Sequence, residues 1–552
     1  MEQEWIMDYE SVPEVTLSSL TEANKEESTT PVRKQRSYTG RGVIPSSLAD
    51  TLCTDLGVDG VLEKINTILG TSYILDESVI SVLNSYVAQN YDFGTAYAYL
   101  RPYWKDIHTM EYKLRIREAR DKEMRQNVLV HDRITTRFVP PRRVWDLYAN
   151  RVVLYWVAPK TLWGISHAWV DEKDRASVMT PINQGEWPVP MPKDANLDLI
   201  RIEMLNARSK WEPHLEAEYA WLDVLCLRQE DGKNEHLRKD KWKLDVPTIG
   251  SVYQQQYSCV VCYFNGLGRP LHFTAANFES DRCWFRRAWT LQEITSYPII
   301  GGETDNDGPR EFCSVRRRFD EELTSLQEIR RSRTILELVS EMQHRVSTKP
   351  LDKVAGLVYL LKTDSIPIYD VEQSAADAWE VLVDVMRPEL RAQLLFFYPE
   401  PGNGKKCWRP SWEQVMSNKV IAPGFTGYPG MVCRTDNPDA DYYEGYHIES
   451  GNVRGLSEVP RESWPRQGEL VLKDVTGEPH TLKIVADHGY PIPDGVYTLI
   501  GWYGFISGSE LWVVGQLRED GMFQKLSVFC SAADEQARLR HLGIEKTKIV
   551  LC

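Results

Sequence analysis

Tyr219-Ala220-Trp221-Leu222-Asp223-Val224-Leu225-Cys226-Leu227-Arg228-Gln229 is the stretch on which the fold class turns. Eight of its eleven residues are apolar, a run too short for a free-standing helix but long enough for a strand covered on both faces, as parallel strands between helices are. The run therefore predicts a buried strand with Asp223 at its centre. A carboxylate so placed must be paired, hydrogen-bonded or proton-linked, because its desolvation is otherwise costly. Residue type alone leaves open whether Asp223 clamps structure or belongs to a site.

The flanking segments extend the pattern. Val152 to Trp156 is strand-like, and Leu162-Trp163-Gly164-Ile165 runs into Ser166-His167-Ala168-Trp169, where polar groups appear at the expected C-terminal end of a strand. Open α/β sheets build their ligand crevices at such ends. Leu197, Ile200, Met204 and Leu205 share a helical face, Glu230 to Asn234 reads as a loop, Ile249 to Gln256 as a short helix and Ser258 to Phe264 as a second buried strand closed by Asn265-Gly266. Strands alternating with helices predict a parallel sheet. The following segment, Asp281 to Ile294, is dense in chemistry, and helical spacing puts Arg286, Trp289 and Glu293 on one face.

Outward from this core the chain divides by composition. Residues 1–45, rich in Glu, Ser, Thr and Pro, read as a flexible tail whose basic cluster Arg33-Lys34-Gln35-Arg36 is a solvated linker. Residues 46–150 are expected to be helical, with Asp76 as an N-cap for a face of Val79, Leu83, Tyr86 and Val87. The α/β core takes 151–310, helices over Asp320 to Glu341 and Ala375 to Leu395 place a packed helical region at 311–420, and 421–552 reads as an antiparallel β-rich domain with a hairpin turn at Asp520-Gly521. Cys407 to Trp412 sets Arg409 between two tryptophans, which suits a structural plug.

The formal net charge of -14 disfavours general nucleic-acid or anionic-membrane binding. An acidic start and the lack of any sufficiently long apolar window predict a soluble cytoplasmic protein without a membrane span. Ten cysteines in 552 residues are too sparse for a disulfide framework. Cys259-Val260-Val261-Cys262 lies in a predicted strand with no second ligand pair, so no metal site is expected. Cys226 sits in an apolar run where a thiol is inert, and Asp305-Asn306-Asp307-Gly308 needs only a turn.

Three ordered blocks carry a resemblance: Ser166-His167-Ala168-Trp169, Trp221 to Gln229, and Arg287-Ala288-Trp289-Thr290-Leu291-Gln292-Glu293. Together they resemble the HET domain of fungal heterokaryon-incompatibility proteins over roughly residues 150 to 300, with Thr348 to Leu357 similar to a segment that often follows it. Arg228 departs from that pattern, which carries an acid or its amide at this place. HET domains are similar in fold to Toll/interleukin-receptor (TIR) domains, flavodoxin-like modules some of which cleave NAD, and the spacing from Trp289 to Glu293 matches the Trp-to-Glu spacing of the TIR catalytic helix.

The resemblance implies an α/β fold with a TIR/flavodoxin-like parallel core, and a role in self/non-self recognition, innate immunity and programmed cell death. It implies NAD as substrate, with no cofactor, and Glu293 as the catalytic residue. Leaving of nicotinamide develops positive charge on the ribose, which a carboxylate stabilises. Trp289 is then expected to stack on a ring, Ser166 and His167 to contact ribose or phosphate, and Trp169, Asp223, Arg228 and Arg286 to complete the binding surface. From residue type alone a cap or clamp on Arg286 or Arg287 is the favoured role of Glu293, and it is the resemblance that brings the catalytic reading level with it. Two alternatives stand beside the enzyme: a non-enzymatic module that acts by self-assembly or with a partner incompatibility protein, and the same fold recruited to other small-molecule chemistry.

Overall fold

A computed structural model describes residues 12–209, 214–254, 259–272, 274–304, 311–331, 334–417, 430–437, 440–458, 465–502, 510–531 and, beyond them, 535, 538–539, 542 and 544–552. The turn expected at Asp305 to Gly308 lies outside these residues. The chain forms two compact units, Met1–Arg330 with Ile368–Val371, and Arg331–Pro367 with Glu372–Cys552. Segments 46–150 and 151–310 thus share the first unit.

A mixed sheet organises the first unit. Its strands are β1 (Arg143–Asp146), β2 (Arg151–Leu154), β3 (Trp163–His167), β4 (Tyr219–Trp221), β5 (Cys259–Tyr263) and β6 (Ile299–Ile300), in the spatial order β6-β5-β3-β4-β1-β2. β3 pairs in parallel with β4 on one side and β5 on the other, and β5 pairs in parallel with β6. β1 is antiparallel to both its neighbours. All five residues of β3 and of β5 are buried, as strands between covering layers must be. From β3 the chain moves out to β4 and then returns to β5 on the opposite flank, so the end of β3 is a topological switch point.

The expected strand from Tyr219 to Gln229 is three residues long. At Leu222 the backbone turns: its carbonyl accepts from the N–H groups of Leu225 and Cys226, and the Asp223 carbonyl from Leu227. Asp223–Cys226 becomes α1, a single helical turn. Asp223 Oδ1 accepts from the Val224 amide at 2.7 Å, a local bond that competes with ladder pairing. A short apolar run looks the same as strand or buried helical turn, and here the acid's backbone bond decides.

Residues 12–45 are likewise ordered, against the tail expected from composition. Glu14–Ser18 and Ser37–Arg41 form an antiparallel pair, and Leu17, Val32, Val43 and Ile44 are buried. Gln35 donates to Glu203 at 2.8 Å. A few well-spaced apolar anchors outweigh a polar average. The helices that follow, Cys53–Leu69, Glu77–Ala88, Phe93–Leu100 and Ile107–Asn127, build one apolar cluster. Asp76 caps the second, accepting from Ser78 and Val79.

In the second unit, Pro388 splits the expected helix over 375–395 into Ala375–Val385 and Pro388–Phe397. The eight-stranded sheet between Met431 and Leu551 is antiparallel at every pairing but one, Phe523 with Leu551, and Gly521 takes φ 77° in the turn joining Glu510–Leu517 to Phe523–Ser531. Arg409 pairs with Glu380 and Asp384, in keeping with a structural plug. No helix among the described residues is long and apolar enough to cross a membrane.

Candidate functional site

The last two residues of β3 carry the chemistry. Successive strand side chains point to opposite faces, so Ser166 and His167 look to different sides of the sheet, and each meets one carboxylate. Ser166 Oγ donates to Glu293 Oε2 and accepts from Trp284 Nε1 at 2.8 Å. His167 Nε2 lies 2.8 Å from Asp223 Oδ1. Ser166, His167, Asp223 and Glu293 therefore converge on one strand end.

Glu293 reaches this place by a broken path. Trp284–Arg286 is a 3-10 turn, the backbone is extended at Arg287, and Thr290–Glu293 forms a separate helical turn, α2. The Thr290 hydroxyl binds the carbonyls of Trp284 and Arg287 at 2.6 and 2.9 Å, fixing the two turns together. The continuous helical face expected for Arg286, Trp289 and Glu293 is therefore absent. Arg286 instead donates to the Glu279 carbonyl and pairs with Asp281 at 3.3 Å.

Electrostatics couples the two faces. Burial lowers the proton affinity of His167, but the Asp223 carboxylate, the Ala168 carbonyl and the Glu293 charge outweigh it and hold the imidazole above its ordinary value. Tyr253 donates to the Ile165 carbonyl at 3.0 Å and feels the charges of both Glu293 and Asp223. Gly164 makes room for this ring: a Cβ there would stand 2.9 Å from two Tyr253 ring carbons. Trp284 and Tyr253 were not among the expected site residues, because an aromatic side chain in an apolar run carries no signal of which polar atom its N–H or O–H will meet.

The other expected residues separate. Trp169 sits 5.7 Å from the His167 ring and 5.3 Å from the Arg175 guanidinium carbon. Trp289 packs near Tyr369, ring centroids 6.3 Å apart. Arg228 is buried against Glu186 at 3.0 Å and the Lys233 carbonyl at 2.7 Å, so it does not join the Ser166–Glu293 pair. A cleft of about 540 Å³ opens beside the ends of β3 and β5, lined by Trp169, Phe264, Asn265, Arg269, Phe285 and neighbours; Trp169 alone of the expected residues borders it. Trp284 forms the partition, its ring 4.9 Å from Phe264 and 5.4 Å from Phe285 while its indole N–H holds Ser166.

Cys226 is buried and its thiol is pushed up to about 12 by that burial, so it supplies no nucleophile. Cys259 and Cys262 are both buried within β5. Among the described residues no group of three or more His, Cys, Asp or Glu is arranged to hold a metal ion. The constellation can hold a half-buried carboxylate in fixed orientation, through a hydroxyl that is itself fixed by an indole, while an Asp223-paired imidazole occupies the other face of the same strand end. Compared with protein-family models, curated proteins and solved structures, the chain matches none.

Proposed function

We propose that this is a heterokaryon-incompatibility-type protein of self/non-self recognition and programmed cell death, with a TIR/flavodoxin-like core that cleaves the N-glycosidic bond of NAD. The observation that carries this is the Ser166–Glu293 hydrogen bond at the end of the central strand. The strand order adds support: taken in chain order, the four mutually parallel strands lie 2-1-3-4, the order of the first four strands of flavodoxin-like sheets. In this reading Glu293 stabilises the positive charge that develops on the ribose as nicotinamide leaves. Ser166 orients Glu293, and His167, held by Asp223 on the other face of the same strand end, feels the Glu293 charge through the sheet.

Incubation of the purified chain with NAD, followed by nicotinamide release, tests the proposal. Glu293→Ala should lower turnover by about a hundredfold or more, as removal of a charge-stabilising group does. Absence of turnover by the wild-type chain, monomeric and assembled alike, sinks it. One observation favours a second reading, a signalling module acting by assembly: the cleft at the strand ends is bordered by Trp169 but not by Glu293. Toxicity in cells that survives Glu293→Ala would select that reading.

A further inference from the structure

An acidic chain gathers four cations in one place of its first unit. Arg142 precedes β1 and Arg143 opens it, Arg228 follows α1, and Lys241 lies in the helix His236–Asp245. The Trp187 ring brings two of them together, with the Arg143 guanidinium carbon 5.2 Å and that of Arg228 5.4 Å from its centroid. The nearby carboxylates are already engaged. Asp245 accepts from Arg142 at 2.8 and 3.0 Å, and Glu186 from Arg228 at 3.0 Å. Among the described residues the side chains of Arg143 and Lys241 have no hydrogen-bond or ion-pair partner, and the buried Nε of Arg228 has none either.

Stacking on Trp187 holds two of the guanidinium groups in place but supplies no counter-charge for the excess. Burial and the Arg228 charge lower Arg143 to about 10, and burial with the charges of Arg143, Arg228 and Arg142 lowers Lys241 to about 8. Uncompensated like charges in a partly buried place cost stability, and an anion removes that cost. The cluster also lies at the edge where α/β sheets take ligands. Asp146 faces Tyr219 and Trp145 faces Ala220, so continuing the antiparallel register sets Arg143 opposite Leu222, beside Asp223 at the C-terminal edge of β4.

We infer that Arg143, Arg228 and Lys241 form a binding site for the phosphate groups of a small pyrophosphate-bearing ligand. Arginine presents a planar fork of donors to phosphate oxygens and lysine a point charge. Four cations against two carboxylates leave two positive charges, which a dinucleotide's pyrophosphate bridge neutralises. The inference rests on these cations and is independent of NAD cleavage. The pyrophosphate is that of a dinucleotide or of a free nucleoside polyphosphate.

Calorimetric titration of the full chain at pH 8 with inorganic pyrophosphate, ATP and NAD tests it. Pyrophosphate should bind with uptake of a fraction of a proton, seen as an enthalpy that depends on the buffer, because the anion restores the Lys241 charge. Lys241→Met, which breaks no bond in the fold, should weaken binding at least tenfold and abolish the proton uptake, and Arg143→Gln should weaken it similarly. Competition between pyrophosphate and NAD assigns the site to a dinucleotide; competition with ATP alone assigns it to a free nucleotide, and either supports the site. No binding of any of the three to the wild-type chain, or equal binding by both variants, overturns it. Pyrophosphate binding without nicotinamide release would remove the proposed NAD cleavage and leave this site standing.

Discussion

Replacing Asp223 with Asn should reverse the titration of His167. In the folded chain burial pulls the imidazole's proton affinity down, while Asp223 at 2.8 Å, with smaller help from the Ala168 carbonyl and Glu293, pulls it above the ordinary value of 6.5. Asp223→Asn keeps the shape and removes the largest opposing charge, so burial prevails and the value should fall below 6.5. The sign for stability follows from linkage. A histidine whose folded value is raised contributes stability that is complete below the unfolded value and fades as pH rises through the folded one. A hydrogen bond to a charged group contributes about 1.5–3 kcal/mol, and the 27% exposure of the Asp223 side chain argues for the lower half of that range. The variant should therefore lose about 1.5–2 kcal/mol at pH 5.5 and much less at pH 9. Urea unfolding at the two pH values measures this, and proton NMR follows the ring, with the His167 resonance among the chain's 11 histidines identified by its loss in His167→Gln. A His167 value below 6.5 in the wild-type chain, or one that Asp223→Asn leaves unmoved, refutes the reasoning.

Three further outcomes are expected. Gly164→Ala should cost about 1–3 kcal/mol in thermal or urea unfolding, because its Cβ meets the buried Tyr253 ring at 2.9 Å and overpacks the layer; wild-type stability would show that the ring yields freely. In the second unit, Asp441→Asn should cost about 3–5 kcal/mol by leaving Arg391 and Lys406 buried without their shared carboxylate, a loss read from unfolding midpoints. Lys525 is fully buried, donates to the Leu395 carbonyl at 2.7 Å and to that of Tyr398, and burial lowers its value to about 7. Between pH 7 and 10 the unfolded chain holds a proton there that the folded chain lacks, so stability should rise with pH, and the rise should vanish in Lys525→Met; an unchanged pH profile in that variant would contradict it.

What the sequence made legible follows periodicity and turn chemistry. The buried strands at Trp163 and Cys259, the Asp76 cap and the Asp520-Gly521 hairpin each rest on signals within a few residues, and each appears where expected. Three features were lost for separate physical reasons. The turn at Leu222 is decided by a bond from Asp223 to its neighbour's amide, which hydrophobicity does not encode. The order in residues 12–45 depends on contacts with partners over 160 residues away, such as Gln35 with Glu203. The grouping of Ser166, His167, Asp223 and Glu293 was expected, but the broken path from Trp284 to Glu293 was not, because residues spaced three and four apart share a face only if the helix runs through them.

That broken path bears on how the site works. A continuous helix would tie Glu293 to Arg286 and Trp289 as one rigid face. Here Glu293 is held from β3, through Ser166, and Asp223 is held from the same strand through His167. Both carboxylates thus take their positions from two adjacent residues at a switch point of the sheet, with Tyr253 lying against the strand where Gly164 admits it. A side chain added at Gly164 meets that ring and presses on the strand that carries Ser166 and His167, and through them on both acids, whereas Arg286 lies in the separate turn Trp284–Arg286 and reaches Glu293 only past the extended backbone at Arg287. Activity should accordingly be far more sensitive to Gly164→Ala than to Arg286→Ala, which removes a solvent-exposed ion pair with Asp281 and a hydrogen bond to the Glu279 carbonyl. If Arg286→Ala abolishes activity in a chain that remains folded, Glu293 takes its position from the helical face and not from the strand.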